Sequence, residues 1–319
     1  MKAMSKMRQN KVAIIGAGNV GGMTAQRLME KEVAELVLID IVPGLAEGKV
    51  LDMIEATPID RQDVQIVGTT DYTQTEGADV VIITSGVARK PGMNREDLLR
   101  VNTNIVKTVT QAVAEVAPGA ILIVVSNPLD AMTYVAYKTS LFSSERVMGM
   151  AGVLDSSRFC AFIAMELGVS VRSVQTFVLG SHGDLMVPLP RLTTVGGVPV
   201  TELLSKARLD RLIKRTRDGG AEIVALLKTG SAYFAPSAAI VEMVESILHN
   251  RKKVLPCTAF CKGEYALDNL FMGVPVKLGK GGVEEIIELR LTVEEAAALK
   301  QSEAAIRNLC AEVDRMLSL

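Results

Sequence analysis

The chain has 319 residues, of which 49% are hydrophobic and 22% are charged, and its formal net charge is -1. This length suggests two closely joined globular domains, and a charge near zero gives no global field that would attract nucleic acid or anionic lipid. The longest apolar runs, such as AILIVV at 120–125, fall far short of the ~20 residues that span a bilayer, so we expect no membrane association.

The location of the protein is predicted from two features. The polar start MKAMSKMRQN has no apolar signal core. The four cysteines are scattered and do not form the framework of a secreted disulfide protein. We therefore expect a cytoplasmic protein. Cys257 and Cys261 could form half of a metal site, but no second Cys or His pair accompanies them, so no metal site is expected.

The first half of the chain alternates apolar runs with helical patterns. The runs are continuously apolar, as parallel strands covered on both faces should be. They are KVAIIG (11–16), LVLID (36–40), VQIVG (64–68), DVVIIT (79–84), AILIVVS (120–126) and RVMGM (146–150). Helical segments such as 94–116 lie between several of them. This alternation predicts an α/β fold with a doubly wound parallel sheet over residues 1–150.

The second half, residues 151–319, has a different pattern. Asp155 is predicted to cap a helix that runs through SSRFCAFIAMEL. Helical patterns cover about 208–228 and 235–250, and strand-like pieces occupy roughly 254–291. An amphipathic helix with Thr292 as its cap ends the chain. The sequence thus predicts a second, α+β domain. A basic cluster at 208–217 is interpreted as a solvated helix face.

A glycine-rich turn follows the first predicted strand. GAGNVG places Gly16, Gly18 and Gly21 at the spacing of a phosphate-binding turn that opens a helix. Asp40 ends the next strand, where its carboxylate suits the ribose hydroxyls of adenosine and would repel a 2′-phosphate. The pattern favours a Rossmann domain that binds NAD rather than NADP. The alternative is a tight turn with no ligand.

Histidine is rare, with two in the whole chain, so the position of each is informative. His249 sits at a predicted helix end, where a cation suits the helix dipole. His182, in LGSHGDLMVP, follows a strand end between glycines, where an acid–base group of an α/β site belongs. Asp155 is a candidate to orient its ring, and Arg158, one helical turn further, a candidate to bind a carboxylate. The alternatives are a turn histidine and a simple helix cap.

A cationic stretch, GVARKPGMNREDL (86–98), leaves the sheet after the predicted strand DVVIIT. Pro91 and Gly92 mark it as a loop, with Arg89 before them and Arg95 after. The functional interpretation is a lid that carries arginines onto an anionic substrate. The alternative is a solvated basic loop.

Five stretches then occur in one family's order: GAGNVG with Asp40, ARKPGMNR, VSNPLD, GVLDSSRF and GSHGD. From about residue 11 to its end, the chain resembles the lactate/malate dehydrogenase family. The resemblance implies a Rossmann NAD-binding domain (1–150) and a catalytic domain (151–319). It also implies NAD as cofactor and reversible hydride transfer between (S)-malate and NAD+, giving oxaloacetate and NADH. A homotetramer, or else a homodimer, is implied as the assembly.

The resemblance assigns roles to the site residues. His182 would exchange the proton, and Asp155 would stabilise its charged form and raise its pKa above about 6.5. Arg158 would clamp the C1 carboxylate, and Arg95 would polarise the C2 carbonyl. Asn127 would hydrogen-bond the substrate and position the nicotinamide amide. The implied cofactor-binding set is Gly16, Gly18, Gly21, Asp40, Asn102 and Asn127.

Substrate choice is implied to depend on Arg89. An arginine there resembles the malate branch, whereas lactate enzymes typically carry glutamine. Ala88 departs from the proline of many malate enzymes, which changes the stiffness of the loop but not its charge. Ala232 falls where lactate enzymes often have threonine, which again argues against lactate.

Three rival functions remain open at this point. A lactate or broader 2-hydroxyacid dehydrogenase is opposed by Arg89. An NAD-dependent glycosidase on a similar fold would need a metal constellation that two histidines do not supply. A catalytically silent NAD-binding sensor is opposed by the set of charged groups at 89, 95, 155, 158 and 182.

Overall fold

The computed structural model describes residues 9–87 and 95–318. In this part of the chain the strands are β1 (Lys11–Ile15), β2 (Glu35–Ile39), β3 (Ile66–Thr69), β4 (Val80–Ile83), β5 (Ile121–Val124), β6 (Val147–Gly149), β7 (Val174–Gln175), β8 (Val178–Leu179), β9 (Val187–Pro188), β10 (Thr194–Val195), β11 (Val198–Pro199), β12 (Lys253–Lys262), β13 (Asp268–Gly279) and β14 (Gly282–Ile286). The helices are α1 (Asn19–Glu30), α2 (Leu45–Asp60), α3 (Arg95–Val116), α4 (Leu129–Ser140), α5 (Gly152–Leu167), α6 (Val200–Leu203), α7 (Lys206–Leu227), α8 (Phe234–Leu248) and α9 (Val293–Leu317).

The parallel part of the main sheet has the strand order β3-β2-β1-β4-β5-β6. All pairs between these neighbours are parallel. In β1, Val12 and Ile14 pack into one hydrophobic cluster, and Ala13 and Ile15 pack into another on the opposite face. Both faces are therefore covered, which is why the strand reads as a continuous apolar run. The predicted doubly wound α/β sheet is confirmed.

Three antiparallel strands extend this sheet. The order continues from β6 to β12, β13 and β14, so that nine strands form one sheet. The junction is a single antiparallel pairing between Thr258 of β12 and Gly149 of β6. The two hydrophobic clusters also cross the junction, since Phe271 of β13 and Val313 of α9 pack with the first-half residues. The two halves of the chain thus share both sheet and core.

Several helix boundaries were predicted correctly, and one was not. Thr292 caps α9 in a capping box with Glu295, and His249 caps the C-terminus of α8. The prediction that Asp155 caps its helix is wrong, because α5 begins at Gly152 and Asp155 lies inside the first turn. A Cβ at Gly152 would come within 2.7 Å of the Pro256 side chain, so only glycine lets the helix start this close to β12.

The remaining expectations concern the surface and the cysteines. Of the basic cluster on α7, Arg208, Lys214 and Arg215 form ion pairs with acids of α5 and of α7 itself, as on a solvated helix face. Arg217 departs from this interpretation, because it donates to the carbonyl oxygen of Met186 and lines a cleft. All four cysteines are free, and Cys257 and Cys261 are buried in β12. No group of three or more potential metal ligands occurs among the described residues. None of the helices described combines the length and the apolar character needed to cross a membrane.

Candidate active site

The glycine turn joins β1 to α1. Gly16 has a φ of 109°, and a Cβ there would lie 2.6 Å from the hydroxyl oxygen of Thr84. At Gly21 a Cβ would lie 1.8 Å from the carbonyl oxygen of Gly16. Around Gly18, the N-cap of α1, nothing lies within 4 Å of the Cβ position. Two glycines are therefore required by packing, while the third keeps the start of the helix open, as a dinucleotide phosphate requires.

Asp40 lies directly beside this turn. Its Oδ2 accepts a hydrogen bond from the backbone N–H of Ala17 at 2.7 Å, and its Oδ1 accepts one from Val42 at 3.0 Å. The end of β2 and the glycine turn are thereby tied together. The carboxylate brings negative charge to the place where the adenosine ribose of a bound dinucleotide belongs, which opposes a 2′-phosphate.

A cleft of about 420 Å³ lies next to the turn, at the carboxyl ends of β4 and β5. This is the edge of an open α/β sheet where ligands bind. Four residues predicted for the site line this cleft: Asn102, Asn127, Arg158 and His182. Val20 of α1 and Ala232 also line it, so the glycine-turn helix and the position tied to substrate choice border the same space.

His182 is held by a buried carboxylate. Its Nδ1 lies 2.8 Å from Oδ2 of Asp155, whose side chain is 2% exposed. With Nδ1 engaged, Nε2 is the nitrogen left to exchange a proton with a ligand in the cleft. Burial acts to lower the pKa of His182, but the charge and hydrogen bond of Asp155 and the charge of Asp130 outweigh it. The pKa is therefore raised above its ordinary value.

Arg158 lies one turn further along α5. Its Nη1 is 3.3 Å from Oδ1 of Asp155, so one carboxylate holds both the histidine and the arginine. Among the described residues, nothing hydrogen-bonds the buried Nε of Arg158. A Cβ added at Gly219 would lie 3.2 Å from the Arg158 side chain, so this glycine makes room for it against α7. A half-buried guanidinium with unused donors suits an anionic ligand.

A second carboxylate, which sequence reasoning missed, lies behind the histidine. Asp130 accepts a hydrogen bond from the backbone N–H of His182 at 3.1 Å and another from the Thr258 hydroxyl at 2.9 Å. Burial raises its pKa to about 6, against the lowering effect of the Thr258 hydrogen bond and of the charge on His182. One sequence feature could have pointed to Asp130: it lies in VSNPLD, three residues after Asn127, at the same edge of the sheet.

The two asparagines differ in their surroundings. Asn127 follows β5 and its side chain is exposed. Asn102, on α3, is 1% exposed. The amide nitrogen of Asn102 donates to the carbonyl oxygens of Val87 and Asn127, and its Oδ1 accepts from the Val87 N–H. Its side chain therefore braces the backbone at the cleft edge, with both amide hydrogens already in use.

Two arginines of the predicted lid, Arg89 and Arg95, remain to be placed. Arg89 lies outside the described residues. Arg95 is the first residue of α3 and is exposed. It is not among the described residues that line the cleft. The placement of these two cations on a substrate stays a prediction.

Two family models match the chain. The lactate/malate dehydrogenase NAD binding domain matches residues 10–149, and the lactate/malate dehydrogenase alpha/beta C-terminal domain matches residues 152–316. The chain belongs to the lactate/malate dehydrogenase family. A curated member from Chloroherpeton thalassium, named malate dehydrogenase, is 54% identical over 96% of this chain and 99% of its own length.

Solved structures of the family superpose closely. The malate dehydrogenase of Salinibacter ruber is 52% identical, with a TM-score of 0.93 and coverage of 97% of this chain and 99% of that one. The lactate dehydrogenase of Cryptosporidium parvum, solved with lactic acid and NAD, is 40% identical, with a TM-score of 0.93 and the same coverage. The fold is thus equally close to both enzymes, whereas the sequence is more similar to these malate dehydrogenases, at 52–54% identity, than to this lactate dehydrogenase, at 40%.

Proposed function

We propose that this protein is an NAD-dependent malate dehydrogenase, which transfers hydride reversibly between (S)-malate and NAD+ to give oxaloacetate and NADH. One observation carries the proposal. His182, Asp155 and Arg158 form a single hydrogen-bonded group beside the glycine turn, with contacts of 2.8 and 3.3 Å through the shared carboxylate. Such a group combines a proton carrier with a carboxylate clamp, as the oxidation of a 2-hydroxy acid requires. The similarity to malate dehydrogenases over nearly the whole chain supports it.

The glycine turn is proposed to hold the pyrophosphate of NAD, and Asp40 to hold its adenosine ribose. The open position at Gly18 and the backbone N–H groups at the start of α1 fit this group. NAD, when bound, supplies the hydride acceptor and donor at its nicotinamide ring. Asn127 would orient the nicotinamide amide, and Asn102 would fix the Asn127 backbone through the hydrogen bond it donates.

The proton step belongs to His182. In the oxidation of malate, Nε2 accepts the proton of the C2 hydroxyl as that oxygen becomes a carbonyl. The negative charge of Asp155, hydrogen-bonded to Nδ1, stabilises the imidazolium that forms. In the reverse direction the imidazolium returns the proton to the carbonyl oxygen of oxaloacetate. Because the pKa of His182 is raised, more of the enzyme carries the imidazolium at neutral pH, which is the form that can donate a proton to oxaloacetate.

Arginines are proposed to bind the rest of the substrate. Arg158 would pair with the C1 carboxylate in a bidentate contact, and Arg95 would polarise the C2 carbonyl. Arg89 would bind the distal carboxylate, which lactate and pyruvate lack. The roles of Arg89 and Arg95 assume that the basic stretch at 86–98 acts as the lid that the sequence predicts. Ala232 in the cleft lining agrees with this substrate choice, since a lactate-type threonine is absent there.

Side-by-side initial rates of NADH oxidation with oxaloacetate and with pyruvate test the proposal. We expect kcat/KM to favour oxaloacetate over pyruvate by more than roughly 10². Pyruvate lacks the distal carboxylate, so under a closed lid it would leave the Arg89 guanidinium without a partner. A ratio near one, or in favour of pyruvate, would contradict the malate assignment while leaving the hydride chemistry in place. Binding of NADH without turnover of any 2-oxoacid would instead indicate an NAD sensor.

The proposal also covers organisation. Residues 1–150 are proposed as the NAD-binding domain and residues 151–319 as the catalytic domain, in line with the two family matches. We propose a homotetramer or a homodimer as the assembly, and neither nucleic acid nor membrane as a partner. A cytoplasmic location is proposed because all four cysteines are free, which is typical of a reducing compartment.

A further inference from the structure

Asp130 is a buried carboxylate for which the proposed reaction has no direct use. It lies in the first turn of α4 and is 5% exposed. Its Oδ2 accepts from the backbone N–H of His182 at 3.1 Å, and its Oδ1 accepts from the hydroxyl of Thr258, itself fully buried in β12. His182 is thus held twice, by Asp155 on the ring and by Asp130 on the backbone.

The loop that carries His182 is also anchored before the histidine. The N–H of Gly180 donates to the carbonyl oxygen of Gly273 in β13 at 2.9 Å. Gly273 approaches so closely that a Cβ there would lie 2.3 Å from the Gly180 carbonyl oxygen. The loop is therefore fixed to β13 before His182 and to α4 at His182. A shift of α4 or of the Asp130 side chain would move the imidazole directly.

Charge gives Asp130 a second effect. The ionisable groups around the imidazole are Asp155 and Arg158 from α5, Asp130 from α4, and Arg217 from α7 across the cleft. Behind Asp130 lies the Cys310 thiol of α9, whose pKa burial raises, so that it stays neutral. Within the hydrogen-bonded group of Asp155, Arg158, Asp130 and His182, Arg158 offsets one carboxylate. The second carboxylate leaves this group one negative charge in excess when His182 is neutral, and none when His182 is protonated, whereas the positive charge of Arg217 across the cleft acts against protonation.

We propose that Asp130 is a positioning residue for the hydride-transfer reaction: it fixes the backbone of His182, and its charge holds the imidazole in the protonated form that reduction of a 2-oxoacid requires. This rests on the proposed function, since it assumes that His182 carries the proton. Asp130 touches neither substrate nor cofactor in this role and acts only through His182.

Asp130→Asn is the sharpest variant, because asparagine keeps the shape and removes the charge. Its Oδ1 can still accept from the His182 N–H, while its amide donates to the Thr258 hydroxyl. For oxaloacetate reduction at saturating NADH, kcat/KM falls as His182 loses its proton at high pH. We expect the alkaline limb to move to lower pH by about 0.5–1 unit, since one nearby negative charge is lost. At low pH, where His182 is protonated in both proteins, kcat/KM of the variant should be less than about threefold below the wild-type value.

Thr258→Val provides the matched control. It removes one hydrogen bond to Asp130 but keeps the carboxylate and the hydrogen bond that this carboxylate accepts from the His182 N–H. We expect that limb to stay in place. If instead Asp130→Asn lowers kcat/KM equally at every pH and leaves the limb unmoved, Asp130 has a structural role only, and the inference is wrong.

A measurement that does not depend on activity covers the case in which Asp130→Asn fails to fold. The chain has two histidines, so labelled histidine gives two ring resonances by NMR, and His249→Gln assigns them. In the wild-type protein we expect the His182 resonance to titrate with a midpoint above the ordinary histidine value of about 6.5, because the charges of Asp155 and Asp130 favour the imidazolium. A midpoint at or below that value would overturn the inference that these charges hold the ring protonated. Turnover by His182→Asn would instead overturn the proposed function, so the two failures are distinguishable.

Discussion

The glycine turn and the His182 cluster (His182, Asp155, Arg158, Asp130 and Thr258) are adjacent regions of one site, and they are built in different ways. The turn comes from one short stretch plus Asp40 at the end of the next strand, and its geometry is fixed by steric contact between backbone atoms. The cluster is assembled from α4, α5, β12 and the loop after β8, and is fixed by buried charges and hydrogen bonds. The glycine turn can therefore be predicted from local residue spacing, whereas the His182 cluster forms only when distant parts of the chain come together in the fold.

This difference predicts different consequences of mutation. A change in the turn should disturb packing first, because a Cβ at Gly16 or Gly21 meets backbone or side-chain atoms at short range. A conservative change at His182 should leave the fold intact and alter the chemistry, because this side chain lines the cleft. Three experiments can break or sharpen this contrast.

The largest effect is expected for His182→Asn. Removing the proton carrier should lower kcat by roughly 10⁴ or more, as loss of a catalytic histidine does elsewhere. The affinity for NADH and the melting temperature should stay close to wild type. His249→Gln, which changes the other histidine at the end of α8, is the control and should keep full activity. Turnover within about tenfold of wild type would remove His182 from the chemistry.

Arg89→Gln should have the next largest effect. With a closed lid, loss of the distal-carboxylate partner should reduce kcat/KM for oxaloacetate by about two to four powers of ten, and relative activity on pyruvate should rise. Lys90→Gln removes the same charge from the neighbouring residue and should leave the ratio of the two substrates unchanged. An unchanged ratio in Arg89→Gln would refute its role in specificity.

The smallest effects separate two glycines of the turn. Gly21→Ala forces a Cβ against the Gly16 carbonyl and should destabilise the protein by about 1–3 kcal/mol, with a lower melting temperature in calorimetry. Gly18→Ala meets no atom within 4 Å and has a φ of -65°, so its melting temperature should hardly change. Both should weaken NADH binding in a fluorescence titration. Equal loss of stability in the two variants would contradict the steric account.

The sequence predicted what local pattern encodes. Continuously apolar runs predicted the six parallel strands, and the GAGNVG spacing predicted the turn that Asp40 contacts. The arrangement of His182 with Asp155 and Arg158 was predicted from the placement of His182 at a strand end and from family resemblance, and the structure brings the three together. The roles of these residues stay proposals.

The features that the sequence did not predict depend on tertiary contacts. Asp155 looked like a helix cap because an acid before a helical pattern usually is one, but close packing of Gly152 on β12 starts the helix earlier. Nothing in the local sequence shows that Asp130 reaches His182, because the contact joins α4 to a loop far along the chain. The same holds for Asn102, whose amide is consumed by backbone groups of two other loops.

The continuous nine-stranded sheet limits how this protein can be divided. A fragment ending near residue 150 would leave the edge of β6 and the apolar face of the shared core open to other chains, which invites aggregation. A chimera with one half from a distant relative would need to restore the strand pairing between Gly149 and Thr258. It would also need to restore the packing of Phe271 and Val313 in the shared core. We therefore expect the two halves to unfold together, and to evolve together rather than as interchangeable units.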